Sequence, residues 1–213
     1  IIEAMNFRLD ASYQLDANNS IGANFGFLRN PKQTWNGKMS TSILQDEDQT
    51  ESSDSHANSS EQKSTLSSNI YYVGKLGKLG IDFNTDWLWS KNNEDVVTKE
   101  QYQEVGMDAQ SQTVHSLTDK KYRLLAFRLV LSYPLLGGEL SLGGEYSNTH
   151  RTSKYQVVPT NFVSDDDSRI TESMASSFLA YSRDFGNLSM EAGLRYEYID
   201  FNYYEYGKYV PEQ

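Results

Sequence analysis

The chain has 213 residues, with 29 acidic against 19 basic side chains, a net charge of −10 and a pI of about 4.8. That balance argues against nucleic acid as a partner, because binding to phosphates needs a basic surface. There is no cysteine, which excludes disulfides and thiolate metal sites. Hydrophobic residues are 38% of the chain and mean hydropathy is −0.65. No run of about 20 apolar residues occurs, so no helix is long and apolar enough to cross a membrane. A spanning β-strand needs only about 9–11 residues, half of them apolar, and a chain of such strands keeps a polar average.

Eight segments read as strands. The first, Met5 to Asp16, sets Met5, Phe7, Leu9, Ala11, Tyr13 and Leu15 against Asn6, Arg8, Asp10, Ser12, Gln14 and Asp16. This is the period of a strand with one apolar and one polar face. Ile21, Ala23, Phe25 and Phe27 define the second, and the third lies near Leu66 to Val73. The fourth alternates Leu79, Ile81, Phe83, Trp87 and Trp89 with Asp82, Asn84 and Asp86. The fifth, Tyr122 to Leu135, is apolar on both faces in places. The sixth carries Leu140, Leu142 and Tyr146 against Glu139, Ser141 and Glu145. The seventh, Met174 to Phe185, is the least regular. The eighth runs through "NLSMEAGLRYEYIDFNYYEYG", Asn187 to Gly207, and is at least twice the usual length of a globular strand, about 5–6 residues.

Four connections are tight: "LDANNS", "GKLGK", "LLGGEL" and "DFGNL". Gly and Asn are expected there to supply the positive φ of hairpin turns. The others read as long polar loops, Asn30 to Gln62, Lys91 to Lys121 and Arg151 to Glu172, in strict alternation with the tight turns. "GKMSTSIL", Gly37 to Leu44, is strand-like inside the first long loop and reads as a strand extension above a membrane. Short turns at one end and long loops at the other form the pattern of outer-membrane barrels. About 11 residues at roughly 3.3 Å, tilted near 45°, give about 25 Å, the height of such a barrel's apolar band. Tyr13, Tyr133, Tyr181 and Phe185 fall near the tight turns, and Trp87, Trp89, Tyr198, Phe201, Tyr203 and Tyr204 near the long loops. Two aromatic girdles are what a barrel places at two membrane interfaces. The fold expected is therefore all-β, an antiparallel up-and-down meander of about eight long strands forming part of a transmembrane β-barrel. A soluble barrel with its apolar face inward would alternate in the same way.

"DFGNLSMEAGLRYEYIDFNYYEYGK" joins a tight Gly-Asn turn to a strand with "GLRYE" and an aspartate–aromatic exit. It resembles the barrel region of TonB-dependent outer-membrane receptors, and within them the outer-membrane β-barrel family common in Gram-negative gut bacteria. "VGKLGKLGIDFNTDWLWSK" and "LVLSYPLLGGELSLGGEYSNTHR" are similar to the preceding hairpins of that family. The resemblance covers nearly the whole chain. It implies a bacterial outer-membrane location and a large barrel of about 22 strands, of which residues 1–213 would be a single segment. It also implies an N-terminal plug with a TonB box, outside this sequence, and energy-coupled uptake of an unknown extracellular ligand. The chain opens inside a strand pattern and its end, "KYVPEQ", reads as a loop, so a piece of a longer protein is expected.

The polar faces would line the lumen with Arg8, Asp10, Asp82, Asp86, Glu191, Arg195 and Glu197, besides Glu139 and Glu145. Both charge signs there can pair internally or with a plug. Trp35, Tyr102, Tyr155 and Phe162 are aromatic residues inside polar loops, where recognition is commonly carried, and are the ligand-contact candidates; local loop packing is the plainer reading of each. His56, His115 and His150 lack zinc spacing and read as solvated. "DEDQTESSD" and "SDDDS" lack EF-hand spacing and read as solvated acidic loops. No catalytic motif is present, so no enzyme and no cofactor are expected. Outer-membrane lipid, a TonB system and an external ligand are the partners expected. Two alternatives stay open: a complete eight-stranded barrel with a structural or adhesive role, and a soluble β-sheet domain binding a glycan or peptide.

Overall fold

The computed structural model describes residues 2–45, 48–159 and 164–211. They form one antiparallel sheet in which each strand pairs with its sequence neighbour. The strands are β1 (Ile2–Asp16), β2 (Asn19–Gln45), β3 (Asp48–Leu76), β4 (Leu79–Glu104), β5 (Gln110–Leu135), β6 (Gly138–Val158), β7 (Asp166–Phe185), β8 (Leu188–Glu205) and β9 (Lys208–Val210). The up-and-down meander matches expectation. Among the described residues β1 contacts only β2, and β9 only β8.

The expected long loops are corrected. Most of Asn30–Gln62, Lys91–Lys121 and Arg151–Glu172 is paired strand, with Gly37–Leu44 inside β2. Ladder hydrogen bonds use only the backbone, so a hairpin continues when both faces are polar. Cross-strand polar links support these extensions: Ser53 Oγ donates to Glu100 at 2.6 Å, Ser59 Oγ to Glu94 at 2.9 Å, and Thr65 and Ser90 hydroxyls lie 3.1 Å apart. What differs between the two ends is therefore the height of the hairpins. The far-end connection after β4 spans only 105–109, and the one after β8 is the two residues Tyr206 and Gly207. The last of these also corrects the C-terminal segment, where Lys208–Val210 is a short ninth strand.

The near-end turns fall where expected, with different chemistry. Gly77 and Gly186 take positive φ at the first turn position, of 62° and 66°. At "LLGG" both central residues do, and the first of them is Leu136 at 50°. Asn18 and Asn187 do not. The β1–β2 turn is instead capped by Asp16, whose carboxylate accepts from the Asn18 backbone N–H at 2.7 Å and from the Asn19 amide, an Asx-type device.

The register fixes a tilt. One row of partners runs Tyr13–Ile21–Tyr72–Phe83–Leu129–Gly144–Ser177–Tyr196. Three residues separate this row from the turn on β1, and eight on β7. Five residues of stagger over six strand spacings place the strands about 30° from the normal if the turns are level, close to the roughly 35–45° of barrels. At that tilt an 11-residue stretch such as 188–198 rises about 31 Å, the thickness of a hydrocarbon core.

The same register gathers the apolar residues. Leu9–Phe25, Tyr72–Phe83, Phe83–Leu129, Leu131–Leu142 and Leu179–Leu194 are direct partners on one face. That face is the open one. Leu194 is 81% exposed, Tyr196 67% and Leu142 51%. Of the buried side chains, Ser59, Thr149, Val157 and Ser176 lie on the polar face, and Asn19, at the β1–β2 turn, lies on the apolar one beside Tyr72. Val157 is the one buried hydrophobic side chain among the described residues, and the backbone of each strand packs only beside its sequence neighbours. A soluble sandwich needs two sheets with apolar faces packed about 10 Å apart. This sheet carries its apolar residues on one face and its paired charges on the other, and among the described residues no second layer packs against the apolar face.

Candidate functional site: the polar face and its extension

Arg8, Asp10, Asp82, Asp86, Glu191, Arg195 and Glu197 all stand on the polar face, as the strand period required. Arg8 Nε lies 2.8 Å from Asp10. Asn69 Nδ2 donates to Asn84 at 2.9 Å and to Asp86 at 2.8 Å. The densest network centres on Glu145, whose two oxygens meet Arg128 at 3.2 Å and Arg195 at 3.4 Å; Arg195 also pairs with Glu197 at 2.5 Å. Glu145 reaches Arg195 across β7, where its direct partner is the small Ser176. The sequence alone does not single out Arg128, because its strand carries apolar residues on both faces. Asp82 and Glu191 complete the face.

Trp35, Tyr102 and Tyr155 lie in paired strands, not loops, and share the polar face. Trp35 gets there through an irregularity. Between Asn30 and Gln33 the β2–β3 register slips, so the odd residues beyond it change sides. The three do not converge. Trp35 shares a row with Ser59, Val96, Ser116 and Val157, whereas Tyr102 stands six residues further up β4. The Trp35 ring lies over Gly37, so part of it serves local packing. Tyr102 is pushed up in pKa by burial and then by Glu51 and Glu104. Phe162 lies outside the described residues.

What the polar face does assemble is a pocket of about 360 Å³ just beyond the apolar band. Lys63 from β3, Lys120 and Tyr122 from β5, Arg151 and Ser153 from β6 and Ser168 from β7 line it, with no carboxylate. Arg151 sits 5.4 Å over the Tyr122 ring, its direct partner across the ladder. Asn92 also lines the pocket, and its buried Oδ1 has no hydrogen-bond partner. Cations, hydroxyls and an aromatic ring suit a hydroxyl-rich anion. The cations come from three strands, so only the register shows them as neighbours.

The histidines are in strands. His115 Nε2 lies 2.5 Å from Asp95, and His150 Nδ1 3.1 Å from Thr171. Of the acidic stretches, Asp46 and Glu47 lie outside the described residues; Asp54 accepts from Ser40, and Asp165 accepts from the Val157 backbone at 2.9 Å. Among the described residues no three His, Asp or Glu side chains group as metal ligands.

The model of the outer membrane protein beta-barrel family matches residues 73–210. The chain belongs to that family. This barrel protein is accordingly a protein of the bacterial outer membrane. No curated protein matches the barrel protein's sequence. Among solved structures it is similar to OmpT, an in-vitro folded outer membrane protein of Vibrio cholerae in its trimer form. Identity is 11%, the match covers 97% of this chain and 86% of that one, and the TM-score is 0.16.

Proposed function

We propose that the chain forms part of the wall of a TonB-dependent receptor, with the tall hairpins outside the cell and the polar face toward the lumen, and that it takes up an anionic, hydroxyl-rich ligand. The observation that carries this reading is the carboxylate-free pocket of Lys63, Lys120, Arg151 and Tyr122 on the polar face of a chain whose net charge is −10. Ligand would meet that pocket before the paired charges around Glu145. No catalysis is involved, and energy would come from a TonB system acting on a plug.

Uptake of galacturonate oligosaccharides by cells carrying the full-length protein tests it. Uptake is expected to stop with a proton uncoupler and to fall at least tenfold with Lys120→Glu and Arg151→Glu together. Uptake that survives the uncoupler would make the barrel a passive pore. Uptake indifferent to both charge reversals would remove the pocket from the account.

A further inference from the structure

Two rows of the outward face, just beyond the apolar band on the tall-hairpin side, carry cations and no carboxylate. The lower runs Phe27–Leu66–Trp89–Arg123–His150–Thr171–Asn202, and the upper Arg29–Ser64–Lys91–Lys121–Thr152–Arg169–Tyr204. In a chain where acids outnumber bases by 29 to 19, this local excess is not compositional. Acids return on both sides: one row higher Asp119 lies 3.6 Å from both Lys91 and Lys121, and one row lower Asp200 accepts from the Asn202 amide at 2.9 Å.

Arg123 and Arg169 are exposed, with His150 between them. The Arg169 guanidinium stacks 4.1 Å over the Tyr204 ring, which orients it without neutralising it. His150 is held below its ordinary pKa by burial first, then by Arg169 and Arg123. At neutral pH the imidazole between the two guanidiniums is therefore uncharged, and its Nδ1 is engaged by Thr171.

We propose that Arg123 and Arg169, flanked by Trp89 and Tyr204, bind a phosphate of a phosphorylated glycolipid in the outer leaflet. The level decides the occupant. A basic cluster continuous with a lipid-contacting face meets headgroups, not a diffusing solute, and clusters at that depth recognise anionic lipid heads. Arginine suits the task because its planar fork donates two parallel hydrogen bonds to a phosphate. The proposal rests on the orientation given under Proposed function, since only with the tall hairpins outside does this girdle reach the outer leaflet.

The test reconstitutes the full-length protein in nanodiscs and measures retention of diphosphoryl lipid A against lipid A stripped of its phosphates. The variants are Arg123→Glu with Arg169→Glu, and Arg123→Lys with Arg169→Lys. Unchanged heat-modifiable gel migration controls for folding. The expected result is at least tenfold preference for the phosphorylated form, its loss in the glutamate pair and its partial survival in the lysine pair. Equal retention of both lipids, or full retention by a folded glutamate pair, would overturn the proposal. Gln101→Cys, on the outward face of a tall hairpin, is labelled on intact cells by an impermeant maleimide if the orientation holds. No labelling would sink orientation and proposal together, whereas labelling without phosphate preference would sink the proposal alone.

Discussion

Leu194→Arg asks most directly what the exposed apolar face touches. Leu194 pairs with Leu179, and that residue with Leu142. It is 81% exposed and stands near the middle of the 188–198 stretch. If water covered it, arginine would cost almost nothing, since exposed positions tolerate charge. If hydrocarbon covers it, arginine near the midplane costs about 2–4 kcal/mol, falling to about 0–1 near the interfaces. That is roughly a 30- to 900-fold loss in the folding equilibrium. Leu188, beside the near-end turn, supplies the internal comparison: Leu188→Arg is expected to cost under about 1 kcal/mol. Glu191→Arg, on the other face of the same strand, would stay in the polar interior and also cost little. The assay is reversible denaturant unfolding from lipid vesicles, followed by tryptophan fluorescence. A Leu194→Arg cost no larger than that of Leu188→Arg would refute the lipid assignment.

Other consequences follow from single contacts. Glu145→Gln removes the charge shared by Arg128 and Arg195 and leaves a single acceptor oxygen for the two; because all three side chains are partly exposed, the cost is expected near 1 kcal/mol or below in the same unfolding assay. Gly143 lies under the Phe178 ring, where a built Cβ would collide with it. Gly143→Val is therefore expected to destabilise by about 1–3 kcal/mol, and Phe178→Ala in the same chain to recover much of that, an interaction a double-mutant cycle would read. Leu136→Gly at the positive-φ turn should stabilise by about 1 kcal/mol by relieving the left-handed penalty. Glu100 is held below its ordinary pKa by hydrogen bonds from Ser53 and Gln112. Its contribution is present above the unfolded carboxylate pKa and lost as pH falls through the lowered value. Hydrogen-exchange protection factors in the β3–β5 extensions, corrected for the intrinsic pH dependence of exchange, should thus fall on acidification, and Glu100→Gln should abolish that component.

The sequence reveals the membrane-level half of this sheet clearly and the extended half poorly. From Leu188 to Tyr198 one face meets lipid and the other meets polar groups, so the two-residue period is strong. Along 30–62 both faces are wet, the period loses contrast, and Ser-rich strand is indistinguishable from Ser-rich loop. The slip between Asn30 and Gln33 then hides which way Trp35 points. Strand propensity alone marked Gly37 to Leu44. The lumen candidates were legible because they obey the period, but their partners were not: Arg128 and Glu145 meet only through a register that no single strand contains. The pocket of Lys63, Lys120 and Arg151 was invisible for the same reason. At "LLGG" the eye assigns the unusual backbone to glycine, whereas Leu136 shares it.

Three tryptophans make the central claim measurable. Trp87 and Trp89 stand on the outward face at the band's edge, and Trp35 on the polar face of an extension. Single-tryptophan versions of the chain in bilayers containing brominated lipid would report which indoles touch acyl chains. Strong quenching of Trp87 and none of Trp35 is expected. Unquenched Trp87, or Trp35 quenched as strongly, would show that the apolar face does not meet lipid and contradict the reading of this sheet as a membrane wall.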